Sequence, residues 1–317
     1  MILGGYMSNN GLDILGLSKP LEKLIDCFSG AVGVLYEPHR TRKKADAEAY
    51  RILTTGNAVK QLDFNGEFEL DGLKIKVNEQ EDPLELKSLI SNEVKRLFQE
   101  RENTYKIADI AYEELKDDTT KVDKDIDKDW SQFFFETGKK IYNEDIQFIF
   151  GKILAGEIKE PGSYSKRLIE VLARLSQKEA EIFQKISKVV FRGVDMAFVL
   201  SDKELLKECG ISLNDILVME EAGLMNSTAL VFHCTKGIEY HNYLISFGEN
   251  DFNLDVYALT KSGIQLERLI KNDLDLDFLK KVKEKLNIEH FSYATIVSSI
   301  RDGNGIDYTL TDGKELE

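Results

Sequence analysis

Four amphipathic segments follow one another between Trp130 and Val190 with little chain between them, and that spacing constrains the fold more than any other feature. They read "WSQFFFETGKKIY", "EDIQFIFGKILAGEI", "SKRLIEVLARL" and "QKEAEIFQKISKVV", with apolar residues recurring three and four apart. Helices joined by short loops become antiparallel neighbours, so residues 130–188 are predicted to form a compact antiparallel helical bundle. Asn143, Ser163 and Ser176 are candidate N-caps, because a short side-chain oxygen satisfies the free amides of a first turn. Ile146, Ile149, Phe150, Ile153 and Leu154 give the second segment a broad apolar face. Leu168, Val171, Leu172 and Leu175 then bury the third against it, after a turn at Pro161-Gly162. The polar residues Glu157, Ser165, Arg167 and Glu170 are candidates for a buried tie between helices.

Upstream, residues 1–117 form an N-terminal helical region. Ser18 and Pro20 open a helix whose stripe is Leu21, Leu24, Ile25, Phe28, Val32 and Leu35. Gly30 and Gly33 lie three residues apart on one face of it, which predicts close approach of another helix, from the same chain or a second copy. Around residues 64–77 the apolar period falls to two, and Asp71-Gly72 separates the two alternating runs, so a β-hairpin is predicted. Helical spacing returns from Pro83 to about Leu115, with Leu86, Leu89, Ile90, Val94 and Leu97 on one face. Residues 118–129 are acidic and read as a solvated linker.

From residue 189 to 317 strands enter. "VVFRGVDMAFVL", "STALVFHCTK", "IEYHNYLISF" and "LDVYALTK" are β-branched and aromatic, with the helix "SLNDILVMEEAGLM" among them. Helix, strands and then "LTKSGIQL" is the order of a winged-helix-like α+β unit. A further amphipathic helix and a strand pair around Asp302–Asp307 close the chain, and the final Leu316-Glu317 reads as an expression remnant. The predicted class is therefore mainly α with an α+β C-terminal part.

Composition removes several functions. A net charge of −14 opposes general polyanion binding. Three unclustered cysteines, Cys27, Cys209 and Cys234, fit reduced cytoplasmic thiols and no disulfide framework. No apolar run reaches the ~18 residues of a membrane span. His233, Cys234 and His241 fall on adjacent predicted strands, but without a cysteine pair or an HxxxH helix they imply no metal site. "DGNGID" fails as a calcium loop, because its third ligand position is Ile306 and its twelfth Gly313. Phosphate-loop, dinucleotide and nucleophile-elbow motifs are missing, so no cofactor is expected and no catalytic residue is assigned. "NDILVMEEAGLM" has Asp215, Glu220 and Glu221 and no cation, so a winged helix built on it would repel DNA.

One basic cluster stands against the acidic whole. His39, Arg40, Arg42, Lys43 and Lys44 follow the apolar N-terminal helix directly. The packing reading makes residues 18–44 an assembly element of a homo-oligomer, its site residues being Leu24, Phe28, Gly30, Val32, Gly33, Leu35, Arg40, Arg42, Lys43 and Lys44. The alternatives are an anionic membrane surface, each cation contributing about 1 kcal/mol, and nucleic acid.

The segment from Trp130 to Ser187 resembles the bacterial domain-of-unknown-function family 2806 and, more distantly, the abortive-infection alpha family. The features shared are the Asp129-Trp130 entry, "LAGEI", "PGSYS", the "RLIEVLARLS" run and "EAEIF". "LSKPLEKLI" and "GAVGVLYEPHRTRKKADAEA" resemble the same family's opening, with the hairpin as an insertion. The resemblance implies a prokaryotic or prophage protein tied to phage defence and brings no catalytic residues. The resulting expectation is a non-enzymatic, self-associating protein that binds another protein, such as a phage-derived one. A nucleic-acid-binding regulator using Arg40–Lys44 and an enzyme built from scattered acids remain as alternatives.

Overall fold

The computed structural model describes residues 18–33, 36, 66–70, 73–77, 84–122, 124–194, 196–234, 237–247, 252–288, 290–302, 305–311 and 313–316, without side chains at 66–91, 93, 94, 98 and 300–305. The chain divides into two compact units, residues 1–166 and 167–317. That division falls between the second and third of the four helical segments, so they are shared between two units.

The first unit holds α1 (Lys19–Val32), the hairpin β1 (Gly66–Leu70) and β2 (Leu73–Val77), α2 (Leu84–Leu115), α3 (Lys128–Gly138) and α4 (Glu144–Lys159). Alternating residues 66–77 pair antiparallel from Gly66↔Val77 to Leu70↔Leu73, as the period predicts. Ser18 occupies the N-cap of α1 but makes no capping bond, and its buried hydroxyl has no partner among the described residues. Gly33 ends α1: at φ 81° it is left-handed, and its N–H donates to the Ser29 carbonyl at 3.0 Å. The helix predicted to reach Leu35 therefore stops at Val32.

Apolar burial explains how these helices assemble. Leu24 and Phe28 are fully buried, and the Phe28 ring lies 5.0 Å from Tyr36, 5.2 Å from Tyr105 and 5.4 Å from Phe135. Helix α2 supplies Ile107, Ala108, Ala111 and Leu115, all sealed, on a spacing of three and four. Closest approach occurs at Gly151 of α4, where a Cβ would fall 2.4 Å from Ile110 Cγ2 and 3.1 Å from the Ile107 carbonyl. Polar groups at the same seam are satisfied. Gln147 Nε2 donates to the Ile141 carbonyl at 2.7 Å and to Asn103 Oδ1 at 3.1 Å, while Asn103 Nδ2 donates to the Lys139 carbonyl.

The acidic stretch 118–129 is largely exposed and is held at three points. Asp118 pairs with Lys159 at 2.6 Å, Asp125 pairs with Lys23, and Val122 is buried. The hydrogen bond from Lys159 holds the Asp118 carboxyl at about 2, below the usual carboxylate range.

In the second unit α5 (Lys166–Arg174) and α6 (Gln177–Ser187) precede β3 (Phe191–Arg192) and β4 (Ala197–Leu200). Then come α7 (Lys203–Glu208), α8 (Leu213–Glu221), β5 (Met225–Cys234), β6 (Ile238–Tyr240), β7 (Tyr243–Ser246) and β8 (Phe252–Leu259). Helices α9 (Lys261–Glu267) and α10 (Leu276–Lys285) and strands β9 (Ser292–Asp302), β10 (Gly305–Leu310) and β11 (Lys314–Glu315) complete it. About half of the described residues are helical, and they include a nine-stranded antiparallel sheet ordered β10-β9-β7-β6-β3-β4-β8-β5 with β11 on β9.

Local chemistry accounts for the boundaries here. Ser176 and Glu179 form a reciprocal capping box on α6, Ser212 and Asp215 one on α8. Asp275 caps α10 by accepting from the Phe278 N–H, which confirms "DLDLDF" as a helix start. Ser163 is not a cap, since α5 starts three residues later. The core stacks Phe191 between Phe198, Tyr240 and Phe278 at 6.2, 5.2 and 5.8 Å. Leu316 is buried, with its N–H donating to the Phe291 carbonyl, so the residue read as a remnant belongs to the fold.

Candidate functional site

The residues predicted to form an assembly element divide three ways. Leu24 and Phe28 face inward and are consumed by α2, α3 and α4 of their own unit. Val32 is half-buried, while Gly30 and Gly33 are exposed, with none of the described residues within 4 Å of a Cβ built on either. Close approach within the chain happens at Gly151, not at this pair. Leu35, Arg40, Arg42, Lys43 and Lys44 lie outside the described residues.

Glu157 is the polar residue of the central motif that is buried, whereas Arg167 and Glu170 are exposed. Its Oε1 accepts from the Gly162 N–H at 2.7 Å and Oε2 from the Tyr164 N–H at 2.9 Å. Trp130 Nε1 donates to the Tyr164 carbonyl at 2.7 Å. The tyrosine ring itself covers Gly156, where a Cβ would meet Tyr164 Cε2 at 2.6 Å. "DW", "LAGEI" and "PGSYS" thus meet as one clamp: a buried carboxylate and an indole hold the loop after α4. Burial raises the Glu157 carboxyl above its ordinary value despite these amide bonds. Both oxygens already serve backbone donors, so the group is a loop anchor and not a proton shuttle.

Other reactive side chains are muted. Burial, with the Glu157 charge adding to it, pushes the Cys27 thiol up to about 12, so it is no nucleophile. Burial likewise raises Cys209 and lowers His241. His233 Nδ1 is 2.9 Å from Asn253 Oδ1, His241 Nε2 is 3.1 Å from the Lys188 carbonyl, and Cys234 is buried. The three do not converge. Among the described residues no group of three or more His, Cys, Asp or Glu could hold a metal ion. Nor is any helix among them long and apolar enough to cross a membrane.

The second unit leaves several large apolar side chains outside. Ile216 and Met219 of α8 point into the core, while Leu213 and Leu217, one turn apart, are 49% and 47% exposed. The rest of that helix is acidic: Asp215 is held by Ser212, and Glu220 accepts from the Ser227 hydroxyl and N–H. Beyond it β5 stands at the end of the sheet, with Leu230 and Val231 exposed by 43% and 68%. Neither surface was marked in the sequence reading. The helix was noted for its acids, and a strand's edge position depends on pairing that residues do not announce.

A family model described as "Protein of unknown function (DUF2806)" matches residues 90–283. No curated protein and no solved structure matches the chain. The matched span runs from α2 through most of α10 and contains the Trp130–Glu157–Tyr164 clamp, and with more than half of its length covered the chain belongs to the DUF2806 family of proteins of unknown function.

Proposed function

We propose that this is a non-enzymatic cytoplasmic protein that works by binding another protein and by self-association, within a bacterial or prophage defence system of the abortive-infection kind. The observation that carries the reading is the outward face of α8. Within the order α6, β3, β4, α7, α8, β5, β6, β7, β8, the strands β4, β8 and β5 are sheet neighbours with β8 in the middle, which supports a winged-helix-like arrangement in which α8 takes the place of the recognition helix. In a DNA reader that helix presents cations to phosphate. Here it presents Leu213 and Leu217 beside Glu220 and Glu221, with no Lys or Arg. An apolar pair rimmed by acids favours a partner helix that is apolar and basic.

Two measurements test it. Gel shifts with duplex DNA and with RNA at low salt are expected to stay negative; a shift lost on replacing Arg40, Arg42, Lys43 and Lys44 would instead favour the nucleic-acid regulator. Affinity capture from phage-infected cells is expected to retain a protein that the Leu213→Glu/Leu217→Glu variant releases. Equal recovery by both forms would contradict a role for α8.

A further inference from the structure

We propose that β5 is a dimerisation edge: it pairs antiparallel with β5 of a second copy of this chain. The proposal rests on the self-association half of the reading above and names its surface. Strand β5 is the last in the sheet order, bonded to β8 on one side and, among the described residues, to no strand on the other. Every second residue of such a strand aims its N–H and C=O outward, a row ready for another strand. Among the described residues nothing covers either face of its middle, because Thr228, Ala229, Leu230 and Val231 are exposed in succession. Proteins that keep an edge monomeric protect it with lysine, proline, a bulge, a short strand or an overlying segment. The register of β5 shifts between Met225 and Ala229, and beyond that irregularity its regular edge, Ala229 to Cys234 ("ALVFHC"), carries no Lys, Pro or acid.

Charge selects the second copy as occupant. In a two-fold antiparallel pair each strand meets itself, so charges on it would oppose like charges. A chain of net charge −14 repels its copies over most of its surface, and β5 beyond Ser227, where the Glu220 carboxylate is bound, offers them an uncharged line of approach from Ala229 to Cys234. A basic foreign strand would instead be matched by an acidic edge. The opposite edge, β10, carries Asp307 and so suits self-pairing less. Strands β4 and β7 are uncharged too, but each is flanked on both sides.

Sedimentation velocity on the full chain is expected to give twice the 36.1 kDa of one chain, with the monomer appearing on dilution. Val231→Lys and, separately, Thr228→Lys place a cation on the exposed edge and are expected to weaken the dimer at least about tenfold. Both substitute exposed residues, so melting temperatures should match the wild type. Val297→Lys, at a residue 64% exposed on β9, is the control and should leave the dimer intact. A wild-type dimer indifferent to both β5 variants overturns the edge assignment and leaves self-association standing. A monomer at every concentration overturns both.

Discussion

Helix α1 and strand β5 are both amphipathic segments near the outside of their units, yet the fold treats them in opposite ways. The stripe of α1 is spent inside its own unit, where Leu24 and Phe28 have no exposure at all. Strand β5 has a partner on one side, and Leu230 and Val231 remain in solvent. A strong apolar period therefore marks a segment that needs a partner without telling whether the partner lies in the same chain. The helix finds its aromatic neighbours in α2 and α3, whereas among the described residues the sheet ends at β5.

Breaking the closed side of that comparison should have the largest effect. Phe28→Ala removes a ring packed on Tyr36, Tyr105 and Phe135 and is expected to cost about 3–5 kcal/mol in urea denaturation. Next comes the clamp. Glu157→Ala leaves the Gly162 and Tyr164 amides without their acceptor, an expected loss of about 2 kcal/mol by the same measurement.

The clamp also sets a pH signature. Burial holds the Glu157 carboxyl above its unfolded value. A carboxyl raised in this way favours the fold fully below the unfolded pKa, and that contribution is lost as pH rises through the folded one. Relative to Glu157→Gln, wild-type stability should therefore decline from about pH 4 upward until the folded group is ionised, then level off. A difference independent of pH would remove burial as the cause.

Smaller effects sharpen the contrast. Gly30→Ala fills open space on a helix and should raise stability by about 0.5–1 kcal/mol; a fall would mean that something does approach that face. Leu217→Glu is expected to leave stability within about 0.5 kcal/mol, because the side chain is half in water, while it weakens partner binding.

How much of this was legible follows from what kind of information each feature needs. The N-caps at Asn143 and Ser176 and the period-two hairpin are local, so residues alone carry them. The end of α1 at Gly33 was missed because an apolar stripe running on to Leu35 outweighed the left-handed glycine that stops it. The sequence points to Gly30 and Gly33 for close helix approach and gives no sign of Gly151, because only the fold brings Ile107 and Ile110 over that position. Glu157 was marked as a buried tie, and its partners turned out to be the amides of the next loop. The short α7 and β11 went unread, each too brief for periodicity to register. The exposed apolar residues of α8 and β5 depend on sheet order and burial, which are global.

Amide hydrogen exchange as a function of protein concentration tests the contrast most directly, because it reads both segments in one sample. The account predicts that protection of residues 225–234 rises with concentration while that of residues 19–32 stays constant. Rising protection in residues 19–32, with residues 225–234 unchanged, would contradict it and return assembly to the N-terminal helix.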